Sequence, residues 1–336
     1  MPLPTGVILG ILADNLSRRG SVLPLSAAAT TRWARGLGLP RGGATVIYTG
    51  HMYQLIPTIE AMAGQMAALE NSPLTKWFGL GRFANRFVNM SFFMGLLASR
   101  SQQRDYDRML RNIAELLRKA GVPFGYLYGD EMYSGALVYD EGMDETFGCH
   151  ARRVAEVFRR HGVREVITVD PHTTNMLREV YPRFVPGFDV RVRSYLEVLA
   201  ERAPAVARPA SGEIVIHDSC VYARYEKMTD PPRALLRRAG LAVREPALAG
   251  AATHCCGGPI EALFPAEAHR ISTNRIGQLR EAGSRIATMC PICLVNLRKA
   301  AAGTAEVDDI SGVLAGAYGA EEADRWANSK LQGSEK

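Results

Sequence analysis

Glu165-Val166-Ile167-Thr168-Val169-Asp170-Pro171-His172-Thr173 and Arg285-Ile286-Ala287-Thr288-Met289-Cys290-Pro291-Ile292-Cys293 are one pattern written twice, with the prolines in register. Each is an apolar strand signal that enters a polar turn, and in the second copy that turn is Cys-x-x-Cys. Thr45-Val46-Ile47-Tyr48-Thr49-Gly50-His51-Met52-Tyr53 lies in the same way over Ile214-Val215-Ile216-His217-Asp218-Ser219-Cys220-Val221-Tyr222, so His51 stands where Cys220 stands. A third, weaker correspondence sets Leu127-Tyr128-Gly129 over Cys255-Cys256-Gly257, supported by Ser134-Gly135-Ala136-Leu137 downstream. The chain therefore reads as an internal duplication. Each half runs strand, helix, strand, helix, which predicts an α/β fold of two pseudo-symmetric halves with mostly parallel sheets.

The halves divide at Ala203 to Ser211, rich in alanine and proline and without a periodic signal, giving a first half over 1–205 and a second over 206–328. Residues 329–336 read as a frayed polar tail, and about 62–104 as an insertion without a counterpart in the second half. Leu110, Ile113, Leu116 and Leu117 predict a helix over 108–120 that stops at Gly121, and a second is expected over 151–161 before Gly162. A third begins at Cys293.

Five of the six cysteines, Cys220, Cys255, Cys256, Cys290 and Cys293, form one constellation confined to the second half. Thirty-four residues separate Cys220 from Cys255 and thirty-three separate Cys256 from Cys290. A chain of 336 residues, 47% hydrophobic and 22% charged, buries a large core without covalent staples, so a secreted disulfide framework is a poor explanation. A reducing, cytoplasmic setting is expected. Val7 to Leu12 is too short for a signal segment, and no apolar run reaches transmembrane length; the greasiest, Val88 to Ala98, reads as a core helix or a docking surface. The net charge of +6 comes without basic runs interleaved with aromatics, and Arg152-Arg153, Arg159-Arg160 and Arg237-Arg238 read as solvated helix faces, which argues against nucleic acid.

Zinc in a closed site takes four ligands, as does a cubane iron–sulfur cluster. Five converging thiolates point to a larger iron–sulfur assembly or to a four-ligand site with one thiol beside it. Neighbours in an extended strand face opposite ways, so Cys255 and Cys256 need a turn to reach one metal site. Gly257 and Gly258 supply it and offer N–H groups to cluster sulfur, and Pro291 stiffens the Cys-x-x-Cys turn. His254, next to the pair, is a candidate proton donor. His51 and His172, with Asp170, could form a relic site in the first half, whereas His217 reads as a strand residue and Cys149 as a small buried thiol. The acidic group Asp130, Glu131, Asp140, Glu141, Asp144 and Glu145 reads as a solvated loop, and no P-loop, dinucleotide or Ser-His-Asp pattern is present.

Cys220, Cys255-Cys256-Gly257 and Cys290-x-x-Cys293 reproduce one complete copy of a motif that members of the cysteine-rich CCG-domain family carry twice; the chain resembles subunits B and D of heterodisulfide reductase over most of its length. The resemblance implies that each half is a CCG-type domain, that an intact copy binds a [4Fe-4S] cluster of noncubane form, and that the chain is an electron-transfer subunit of a heterodisulfide-reductase-like complex. Its partners would be ferredoxin-like, flavin-containing or membrane-associated redox subunits, at whose membrane complex it could sit peripherally. With no cysteine at the first-half positions, one cluster is expected. Two alternatives stand beside this: reduction of a thiol or disulfide substrate at the cluster itself, and a zinc-stabilised scaffold without redox activity.

Overall fold

The computed structural model describes residues 5–69, 85, 98–261 and 264–319. Val46-Ile47-Tyr48, Val166-Ile167-Thr168, Ile214-Val215-Ile216-His217 and Ile286-Ala287-Thr288 are continuous buried runs. Such runs suit parallel strands covered on both faces, because neither face can be polar. They form the inner strands of two four-stranded sheets. The first contains β1 (Thr45–Tyr48), β2 (Gly125–Tyr126), β3 (Glu165–Thr168) and β4 (Arg191–Ser194) in the order β2-β1-β3-β4. The second contains β5 (Glu213–His217), β6 (Ala242–Arg244), β7 (Arg285–Thr288) and β8 (Glu306–Asp309) in the order β6-β5-β7-β8. All pairings within the sheets are parallel and the two orders are the same, so the fold is α/β in two pseudo-symmetric halves.

In each sheet the chain leaves one central strand toward one edge and the other central strand toward the opposite edge. The register aligns Tyr48 with Thr168 and His217 with Thr288, so the turns after the central strands open side by side at their carboxyl ends. That is the switch point where open α/β sheets form their crevice. Cys220 follows β5, and Cys290 and Cys293 follow β7. The topology alone therefore brings together cysteines that lie far apart in the sequence.

The halves share a core, in which Ile47, Ile113 and Leu116 of the first belong to one buried apolar cluster with Ile216, Leu294 and Leu314 of the second. Polar contacts lock the seam. The buried Tyr222 hydroxyl lies 2.8 Å from Ser194 Oγ and 3.2 Å from Thr174 Oγ1, Tyr53 donates to Asp309 at 2.9 Å, and Glu226 accepts from both Asn175 and Arg178 at 2.8 Å.

Two predicted helices begin earlier than their apolar spacing suggests. One spans Arg100–Lys119, its start capped by the Ser99 hydroxyl accepting from Gln102 N–H; the other spans Asp144–Arg160, with Asp144 and Glu145 in its first turn, where the helix field favours carboxylates. These two acids are thus helical rather than part of a loop. Asp130 pairs with Arg41 at 2.7 Å and His161 at 2.9 Å, and Glu131 is buried. Cys149 is exposed, contrary to the sequence expectation, because the buried stripe of its helix runs through Phe147, Gly148, His150 and Ala151. Arg152 and Arg153, Arg159 and Arg160, and Arg237 and Arg238 are exposed on helix faces, as expected. Val88 to Leu97 of the apolar stretch, most of the 62–104 insertion and the tail 329–336 lie outside the described residues. Among the described residues no helix is long and apolar enough to cross a membrane.

Replacing Tyr222 with Phe removes the hydroxyl that joins the halves and should cost about 1–2 kcal/mol, since buried partners are left without it. Urea unfolding should show a lower midpoint at an unchanged slope.

Candidate metal centre

Cys290 caps the helix Pro291–Ala301 in an extended conformation, with Pro291 at the first helical position and Cys293 in the first turn. Both thiols therefore sit where unpaired N–H groups and the helix field favour thiolate. Cys220 opens the helical turn Val221–Tyr225 in the neighbouring loop. The loop carrying Cys255 and Cys256 is tethered to that of Cys220 by Asp218. Its carboxylate receives two bonds from Arg233, at 2.7 and 2.8 Å, and one from Gly250 N–H at 2.7 Å, while its backbone carbonyl accepts from the Thr253 hydroxyl at 3.0 Å.

All five predicted cysteines meet. Cys255 lies beside Cys220 and Cys256, Cys256 beside Cys293, and Cys293 beside Cys290, an unbroken series of neighbours. Cys256, Cys290 and Cys293 are buried, while Cys220 and Cys255 are only partly so, and the site is open on their side. Contact with Cys220 and Cys256 depresses the Cys255 pKa, and contact with Cys293 depresses that of Cys290; Cys220, Cys256 and Cys293 are pushed up, each by a sulfur neighbour before burial. Adjacent thiols cannot all ionise in a small buried volume without added positive charge. A metal assembly would supply that charge, and the donor set suits iron–sulfur or zinc chemistry.

Gly257 has φ 80°, a backbone region that side chains disfavour, and a Cβ there would lie 2.5 Å from the Ala268 carbonyl oxygen. A Cβ on Gly258 would meet Ile292 at 2.1 Å. The two glycines let the loop close over the sulfurs, and Gly257 N–H donates to Cys255 Sγ at 3.3 Å. His254 is half-buried, and its Nδ1–H is donated to the Cys255 carbonyl at 3.1 Å.

Three further residues reach the site. His217, read from sequence as an ordinary strand residue, ends β5 with a ring nitrogen within 4.8 Å of Cys256 Sγ and Cys293 Sγ. Arg275 is fully buried and donates from Nε to His217 Nδ1 at 3.2 Å. His172 crosses from the first half to Cys290; burial alone would lower its pKa, but Cys290, Asp140 and Asp170 together bring it up to about 9. His172 thus serves the second-half site instead of joining His51 in a relic site, and among the described residues no metal-holding group forms in the first half.

The structure also corrects the weakest part of the internal alignment. Tyr128–Asp130 and Gly250–Ala252 are matching helical turns after β2 and β6, and Gly135 and Gly257 both have positive φ and cap the next turn. Tyr133-Ser134-Gly135, not Leu127-Tyr128-Gly129, therefore corresponds to Cys255-Cys256-Gly257. The longer first-half intervals hid this register. His51, Tyr133, Ser134, Asp170 and Thr173 fill the five positions in a closely packed turn, where a Cβ on Gly50 would lie 2.3 Å from Thr173 Oγ1. Glu131 ties the turn together by accepting from Thr49 Oγ1 at 2.9 Å, Gly50 N at 3.2 Å and Tyr126 at 2.7 Å.

Gly257→Ala should cost more than about 1 kcal/mol, because it adds a strained φ to a backbone clash, and should release bound metal; calorimetry and metal analysis read the two effects. Burial lowers the pKa values of His51 and His150 to about 4, so the unfolded chain takes up protons on these residues first as the pH falls. The stability they contribute is whole above about pH 6.5 and is lost toward pH 4. Denaturation midpoints should fall across that window, and less so in a His51→Gln, His150→Gln protein.

Residues 214–298 match the cysteine-rich domain family CCG. Curated relatives include the probable iron-sulfur-binding oxidoreductase FadF of Bacillus subtilis, 32% identical over 212 residues, which are 61% of this chain and 29% of that protein. The probable membrane-anchored ferredoxin of Chromohalobacter salexigens is 28% identical over 244 residues, 69% of this chain and 33% of that one. The EtfAB:quinone oxidoreductase of Syntrophomonas wolfei is 31% identical over 203 residues, 56% and 28%. The chain thus spans about a third or less of the length of the curated relatives it matches. The lone cysteine, Cys-Cys-Gly and Cys-x-x-Cys elements gathered at one switch point all fall within the stretch, residues 214–298, that is similar to the cysteine-rich CCG domain family.

Proposed function

We propose that this chain is the electron-transfer part of an iron–sulfur oxidoreductase, holding one cluster through Cys220, Cys255, Cys256, Cys290 and Cys293. The observation that carries the reading is the unbroken series of five neighbouring sulfurs. A structural zinc would use four of them and leave a fifth thiol packed against the site without a role. A noncubane [4Fe-4S] form, as the family resemblance implies, uses the whole set.

When bound, the cluster would supply reversible one-electron chemistry. The protein's part is to compensate thiolate charge with the helix N-terminus, the Gly257 N–H and the buried Arg275, and to exclude water from Cys256, Cys290 and Cys293. The open side at Cys220 and Cys255 is where electrons would enter or leave. His254, half-buried beside it, is our candidate for a proton there. The names of the relatives, an iron-sulfur-binding oxidoreductase, a ferredoxin and a quinone oxidoreductase, support electron transfer between other redox modules. A heterodisulfide-reductase-like complex, peripherally bound to a membrane, fits that setting.

Protein purified without oxygen should contain iron and acid-labile sulfide in equal amounts and give a paramagnetic signal in one oxidation state. Cys256→Ser and Cys293→Ser should abolish the signal, while Cys149→Ser, outside the site, should leave it unchanged. Zinc without iron or sulfide would end the reading. A signal that changes on adding a thiol or disulfide would favour catalysis at the cluster over simple transfer.

A further inference from the structure

The buried pair His217 and Arg275 lies behind the sulfurs and fixes the position of a proton. A guanidinium can only donate hydrogen bonds, so His217 Nδ1, which receives Arg275 Nε–H at 3.2 Å, must present a lone pair. A ring whose Nδ1 accepts a hydrogen bond is not the doubly protonated cation, so it is neutral. A neutral imidazole has one N–H, and it is therefore on Nε2. That nitrogen is buried and without a hydrogen-bond partner among the described protein groups. The ring lies within reach of Cys256 Sγ and Cys293 Sγ.

Arg275 is itself held in place. It is fully buried, donating to Gln278 Oε1 at 3.0 Å and to Thr253 Oγ1 at 3.3 Å as well as to His217. Thr253 also bonds the Asp218 carbonyl, which connects the pair to the tether between the Cys220 and Cys255 loops. The guanidinium and the imidazole thus form one rigid unit packed against the innermost sulfurs.

We infer that His217, its tautomer set by Arg275, offers its Nε2–H, unpartnered within the protein, to the cluster held beside Cys256 and Cys293 and raises the reduction potential of that cluster. An N–H donated to sulfur stabilises the more negative, reduced state more than the oxidised one, because the sulfur carries more charge after an electron arrives. His217 is a positioning residue here and not a ligand; the cysteines alone hold metal. The inference rests on the iron–sulfur reading above.

The test is a potentiometric titration of the cluster signal in wild-type protein, His217→Phe, His217→Gln and Arg275→Gln, with iron content measured in each. His217→Phe keeps the ring volume without an N–H and should move the oxidised-to-reduced ratio at fixed potential about tenfold toward oxidised, about 59 mV for a one-electron couple. His217→Gln restores a donor and should recover most of the shift. Arg275→Gln, which frees the tautomer, should fall between the two. Should the variants lose iron, pulsed magnetic resonance on wild-type protein labelled with 15N-histidine decides: a weak nitrogen coupling kept in His172→Phe is expected. Absence of that coupling, or a strong one typical of a metal-bound nitrogen, overturns the inference. So does an iron-replete His217→Phe protein with the wild-type potential. Wild-type protein without iron and sulfide overturns the iron–sulfur reading itself, and this inference with it.

Discussion

Asp218 carries the architecture of the metal centre in one buried carboxylate. It stands two residues before Cys220, takes a two-pronged bond from Arg233 and binds the start of the Cys255 loop through Gly250 N–H. Losing one partner of such a pair typically costs about 3–5 kcal/mol, because the other charge stays buried and uncompensated. Arg233 is in turn shared with Glu245, at 2.7 Å for each contact, so strand end, helix and loop move as one body. The first half meets the same requirement from the opposite side. There the carboxylate is Glu131, on the second loop, and it reaches back to Thr49 and Gly50 after β1. Both halves thus join the turn after the first central strand to the loop after the edge strand, whether or not a metal is to be held.

Much of this was visible in the residues. The repeated apolar runs and the prolines in register gave the sheet order its symmetry, and cysteine spacing marked which side chains would converge. What stayed hidden depends on long-range packing. His217 is one residue of an apolar strand until Arg275, fifty-eight positions later, is seen to fix its tautomer. Glu131 looks like one acid among several until four donors are counted around it. The correspondence of Ser134 with Cys256 rests on the backbone of Gly135 and Gly257, and φ is not written in a sequence. Cys149 shows the converse, a thiol whose exposure is decided by helix phase alone.

The cysteine-free half is more than a scaffold for the other. His172 and Ile292 occupy matching positions in the two repeats, and each packs toward the opposite half, the first onto Cys290 and the second onto the apolar core of the first half. The centre is therefore walled by both copies of the repeat. A mutation in the half without cysteines can alter the chemistry of the other through this wall, with no change in any ligand.

The close packing around Gly50, Ser134 and Thr173 bears on the order in which the molecule is made. Where the second half gathers five thiols that repel one another until a cation arrives, the first half fills the same turn with groups that need none. Synthesis from the amino terminus delivers this half first, and its turn needs no bound cation to balance its charge. Tight packing and charge neutralisation are thereby divided between the two copies of one repeat.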